Sequence, residues 1–94
     1  MAMNRLWDHN RLEGASFFVV WKAKILSILD RHHIKAFALR LMTIPIDPAE
    51  NENFEEAMVK AKRIILDGVK DHVVQHIFEK ETAKEMWDAL KKLY

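Results

Sequence analysis

Apolar residues recur at helical spacing in several blocks of this chain. Phe17, Phe18, Trp21, Ile25, Ile28, Leu29 and His32 share one broad face when projected at about 100° per residue. Ser16 stands before them as an N-cap, so the pattern predicts a first helix over about residues 17–32. Val19, Ala23 and Leu26 form a second stripe on the opposite side. A helix apolar on two sides is covered twice, by its own domain or by a partner.

Farther on, "IKAFALRLM" from Ile34 to Met42 has the composition of a short helix. Ile44 to Pro48 then reads as an extended linker, because a residue before proline is pushed out of the α region. Asp47-Pro48 is a strong helix start, an N-cap followed by proline at the first helical position. Glu50 completes a D-x-x-E capping box. This helix is expected to reach Asp67, with Gly68 as its C-cap. Phe54, Ala57, Met58, Ala61, Ile64 and Ile65 line its core face, and Val59 and Leu66 make a thinner stripe behind. Glu56 and Lys60 are spaced as a helix-supporting pair.

A shorter helix is expected over about residues 69–79, with Val69, Val73 and Ile77 in phase and Val74 and Phe78 alongside. A last one starts at Thr82, which has the capping-box spacing to Glu85. Ala83, Met86, Trp87, Leu90, Leu93 and Tyr94 fall on its apolar face, with no Gly or Pro stop after them. Trp21, Trp87, Phe54 and Ile65 are the expected core anchors.

Composition narrows the fold. Ninety-four residues make one domain, which buries roughly 60–65% of the surface of its unfolded chain. Half the residues are hydrophobic and 31% are charged, which excludes a disordered class. Two glycines and two prolines are too few for the turns of an all-β fold. The expectation is an all-α, irregular bundle of four to five short helices over residues 16–94. Residues 1–15 form a lead-in anchored by Leu6, Trp7 and Leu12, with a bend at Gly14.

Charge and cysteine usage then limit the chemistry. Fifteen basic and 14 acidic side chains are well mixed, for a net charge of +1, without the basic excess of a dedicated nucleic-acid binder. No cysteine is present, so disulfides and thiolate metal sites are excluded, and the composition fits a reducing, cytoplasmic location. No apolar run approaches the ~18 residues that would span a membrane. "MAMNRLWDHN" is too polar for a signal peptide.

Candidate chemical residues are few. His72 and His76 have metal-ligand spacing, but a zinc site needs three or four ligands, and Val73 stands where the metalloprotease motif has Glu. They read as helix-flank histidines, and His32 and His33 as residues placed where imidazolium favours the helix dipole. Ser16, Ser27 and Thr43 lack a nucleophile's context, the glycines are isolated, and the carboxylates are interleaved with lysines. No catalytic, metal or cofactor site is expected, and the chain is not read as an enzyme. Lys60, Lys62 and Arg63 form a small basic group that would give weak, salt-sensitive RNA contacts.

Three blocks taken together resemble a known family. "LEGASFFVVWKAKI" (Leu12 to Ile25), "AKRIILDGVKDHVVQHI" (Ala61 to Ile77) and "TAKEMWDALKKLY" (Thr82 to Tyr94) resemble the Gag polyprotein of copia-type retrotransposons. The family pattern in the first block is Gly-Ala-Ser-Asn-Phe, two variable residues, then Trp-Lys. Gly14, Ala15, Ser16, Phe18, Trp21 and Lys22 match it, while Phe17 replaces the polar Asn and adds apolar surface. In the last block Thr82, Ala83, Lys84, Glu85, Met86, Trp87, Leu90 and Tyr94 match. The order and spacing of the blocks match over nearly the whole chain, and the centre, about residues 34–53, is not diagnostic.

The resemblance implies a helical, capsid-forming protein like a capsid amino-terminal domain, whose subunits associate into virus-like particles around element RNA. It implies that this chain is the amino-terminal part of the capsid region, continuing beyond Tyr94, with the RNA-binding zinc knuckle farther on. The expected partners are further copies, through Gag–Gag contacts, and the remainder of the polyprotein; RNA is bound weakly and a membrane not at all. Val19, Ala23, Leu26, Val59 and Leu66 are the candidate self-association residues. The rivals are an RNA-binding helical module acting through Lys60, Lys62 and Arg63, and a host gene derived from such an element and used as an interaction domain.

Overall fold

The first helix, α1, spans Phe18–Arg31 and buries Trp21, Ile25 and Leu29, the middle of the predicted apolar face. This is a computed structural model, and it describes residues 18–94. The lead-in with Leu6, Trp7 and Leu12, the Ser16 cap and Phe17 lie outside the described residues.

No glycine stops α1. His33 takes φ 62° instead, donates its N–H to the Asp30 carbonyl at 3.0 Å, and is followed by Ile34 N–H on the Leu29 carbonyl at 2.9 Å. That pair of bonds is a Schellman motif with histidine in the left-handed position, and buried Ile34 and Leu29 supply its usual apolar contact. His32 is exposed, not on the core face, because the helix ends at Arg31.

The central segment differs from expectation. Helix α2 covers only Ala36–Leu39, and Arg40 already turns extended at φ −138°, ψ 153°. One turn suffices to bury Phe37 and Ala38. The chain must then travel to the start of the next helix, and an extended residue covers about 3.3 Å against about 1.5 Å in a helix.

Helix α3 runs Pro48–Asp67, as its signals require. The Asp47 carboxylate accepts from Glu50 N–H at 3.0 Å, leaving the box with one of its two reciprocal bonds. Gly68 caps the far end at φ −85°, not in the left-handed region. Its small size matters for another reason: it is buried, and its carbonyl accepts the indole N–H of Trp21 at 2.6 Å. Glu56 and Lys60 are both exposed, and no ion pair joins them among the described residues.

Helix α4 is Asp71–Ile77, shorter than the predicted 69–79. Lys70 is extended and offers no side-chain cap, and Phe78 lies outside the core at 54% exposure. Helix α5 spans Ala83–Leu93, with Thr82 Oγ1 accepting from Glu85 N–H at 3.1 Å. Glu85 answers one residue earlier than a capping box would, accepting from Glu81 N–H at 3.1 Å. The next free donor, Ala83 N–H, points at the Met58 sulfur at 3.3 Å, which ties α5 to α3.

The described elements are all α-helical and form a small irregular bundle. Helix α5 is its hub: α2, α3 and α4 pack on it, and α1 and α2 pack on α3. Aromatic rings join α1 to α5. Trp21 stacks on Trp87 at 5.6 Å and on Phe18 at 6.0 Å, and Phe18 meets Tyr94 at 5.8 Å. Trp21, Trp87 and Ile65 are buried; Phe54 is half-buried and meets Phe37 at 5.3 Å. Tyr94 packs against the core, whereas Leu93 turns out to 42% exposure.

Candidate self-association surface

The residues proposed for self-association fall into two groups. Val19, at 76% exposure, and Ala23 stand open on α1, and Val59 stands open on α3. Leu26 and Leu66 are half-buried and pack against the core. The back stripes are therefore narrower than their sequence spacing suggests. A broad core-facing arc draws in the residue that borders it, as Leu26 borders Ile25. A charge at Leu26 would test internal packing, and a charge at Val19 would test the surface. Whether residues 1–12 fold over the α1 stripe lies outside the described residues.

A larger apolar strip lies where the sequence reading placed no candidate residue. Between α2 and α3 the extended chain carries Leu41 at 76% exposure, Ile44 at 65% and Ile46 at 100%. Leu39 and Met42 add to it. A hollow of about 260 Å³ lies against this strip, lined by Leu41, Met42 and Ile44 together with Phe37, Phe54 and Met58. The available signal was the apolar run ending against two pre-proline positions. Periodicity alone reads such a run as helix or linker and says nothing of which side faces out.

The outward side of α3 is charged. Glu52, Glu55 and Glu56 occupy its amino-terminal half, and Lys60, Lys62 and Arg63 follow. All are exposed except Lys62, which is half-buried. The three basic residues proposed for RNA thus share one helix with a similar number of acids, one to three turns away. His72 and His76 are exposed on α4, and among the described residues no three His, Asp or Glu side chains converge as metal ligands. No helix among the described residues is long and apolar enough to cross a membrane.

The described surface thus carries an apolar strip beside a shallow hollow, and a helix face of mixed charge. Comparison with protein-family models, curated proteins and solved structures returned no match to this chain.

Proposed function

We propose that this chain is a structural, Gag-like capsid protein whose copies associate to build the particles of a copia-type retrotransposon. The observation that carries the reading is the exposed strip of Leu41, Ile44 and Ile46 on a domain that already has a closed core. Contiguous apolar surface on a small protein marks a contact surface. The three sequence blocks supply the family, and the strip supplies the means of association. The role in this reading is mechanical and not catalytic. The partners are further copies and the rest of the polyprotein, and assembly is cytoplasmic.

RNA is a minor partner in this reading. Lys60, Lys62 and Arg63 are followed and preceded on α3 by carboxylates that repel phosphate, and three contacts give only weak, salt-sensitive binding.

The test is the triple variant Leu41→Ser, Ile44→Ser, Ile46→Ser. These side chains are exposed, so the melt should stay within a few degrees of the parent. The weight-average mass at high concentration should fall below that of the parent. A variant that associates as the parent does would remove the strip from the account.

A further inference from the structure

The outward face of α3 has an order that its mixed composition hides. With Val59 as origin, and about 100° per residue, Glu52, Glu55, Glu56, Lys62, Arg63 and Leu66 all lie within about 60° of it. The buried Ala61 and Ile65 lie about 160° and about 120° round the helix from Val59, on its far side. It is organised in columns seven residues apart. Glu52, Val59 and the half-buried Leu66, which also packs against the core, form the centre. Glu55 and Lys62 form one flank, and Glu56 and Arg63 form the other.

Each flank has an acid toward the amino end and a base toward the carboxyl end. Val59 lies midway between them. At about 1.5 Å per residue, the charges stand roughly 4–6 Å on either side of it along the axis. A two-fold axis through Val59 reverses the helix and keeps each flank on its own side. Glu55 then faces Lys62 of a second copy, and Glu56 faces Arg63 of a second copy. By symmetry each pair occurs twice, and the two Val59 side chains meet at the centre. The reverse arrangement, two parallel copies, would set acid on acid and base on base.

We infer that α3 pairs with α3 of a second copy of this chain, antiparallel about Val59. This rests on the proposed self-association and names its surface and symmetry. Charge complementarity selects the occupant: the face is complementary to itself, reversed. Glu55, Glu56 and Arg63 are exposed, and Val59 keeps 55% of its surface open. Hollows of about 620 Å³ and 240 Å³ flank Val59 and Arg63 and leave room for an approaching helix. An isologous contact of this kind closes as a dimer, and a particle then needs a second, different contact. The strip between α2 and α3 is a separate surface on the same domain, available for it.

Reciprocal charge reversal tests the pairing. Glu55→Lys with Glu56→Lys makes both flanks wholly basic, and Lys62→Glu with Arg63→Glu makes them wholly acidic. Each variant alone should lose the parent's dimer, with Kd weakened at least about tenfold, while its helical circular dichroism stays unchanged. An equimolar mixture should restore a dimer at least as tight as the parent's. Lys91→Glu with Lys92→Glu, on α5, carries the same net charge as the acidic variant and serves as control. Mixed with the basic variant, it should not form the heterodimer. Should Lys62→Glu unfold the domain, the swap is repeated with the exposed positions alone, Glu56→Lys against Arg63→Glu.

Dimers that persist in the singly reversed variants, a mixture that stays monomeric, or a control that pairs as well as the acidic variant would each overturn the pairing. If the parent associates and the reversals have no effect, only this pairing fails and self-association stands. If the parent never associates, both fail.

Discussion

Trp87→Ala removes one of the rings that join α5 to α1. Trp87 is 3% exposed and stacks on Trp21 at 5.6 Å, and Trp21 in turn reaches Gly68 and Phe18. Truncating a core tryptophan costs about 3–5 kcal/mol through lost transfer energy and the cavity left behind. Collapse is hard here, because the opposite wall is another tryptophan held by a hydrogen bond to a backbone carbonyl. The cost therefore belongs toward the upper half of that range. A domain of this size is stable by about 5–15 kcal/mol in all. Each kcal/mol moves the melting temperature of a small domain by about 4–8 °C, so the midpoint should fall by roughly 16–40 °C. Thermal melting followed by far-ultraviolet circular dichroism measures it. A midpoint within about 5 °C of the parent would show that the Trp21–Trp87 stack does not hold the bundle together.

Three other substitutions probe local features. His33→Gly should stabilise the domain by up to about 1 kcal/mol, because a left-handed non-glycine residue costs roughly 1–2 kcal/mol and glycine gives part of that back in entropy; an unchanged or lower melting midpoint contradicts it. Thr82→Ala should cost about 0.5–2 kcal/mol through loss of the cap on Glu85 N–H, read by denaturant unfolding, and no loss would mean that the Glu85 bond to Glu81 N–H suffices. Val19→Glu should leave the melt within about 0.5 kcal/mol of the parent, as an exposed position does, and a large loss would place Val19 under cover. RNA binding, followed by fluorescence anisotropy, should be weak and should fall steeply as salt is raised; tight, sequence-selective binding would favour the nucleic-acid reading.

The starts of α3 and α5 were legible because they are written in local chemistry. Asp47-Pro48 and Thr82 cap their helices through the predicted side-chain oxygens. The buried stripes of α1, α3 and α5 were legible from spacing, since Trp21, Ile65 and Trp87 sit at the centres of their arcs. The end of α1 was legible to within a residue, but its stop was not, because it is a histidine in a conformation that usually signals glycine. The segment after α2 was not, because an apolar run has no period that distinguishes one turn of helix followed by extended chain from a longer helix. The candidate surface was only partly legible for the same reason. Val59 was identified from its stripe, but Leu41, Ile44 and Ile46 became surface residues only once the course of the chain was known. The charge columns of α3 are present in the sequence at seven-residue spacing. They acquire meaning once the opposite side of the helix is known to be buried.

The proposed function stands on self-association, which the mass of the unmodified chain in solution measures. Sedimentation equilibrium from about 1 μM to about 1 mM spans the affinities of weak protein contacts. The weight-average mass should start at the monomer and rise with concentration through the dimer, and the rise should be smaller at high salt because charged pairs contribute to it. A mass that stays at the monomer across the whole range would contradict it.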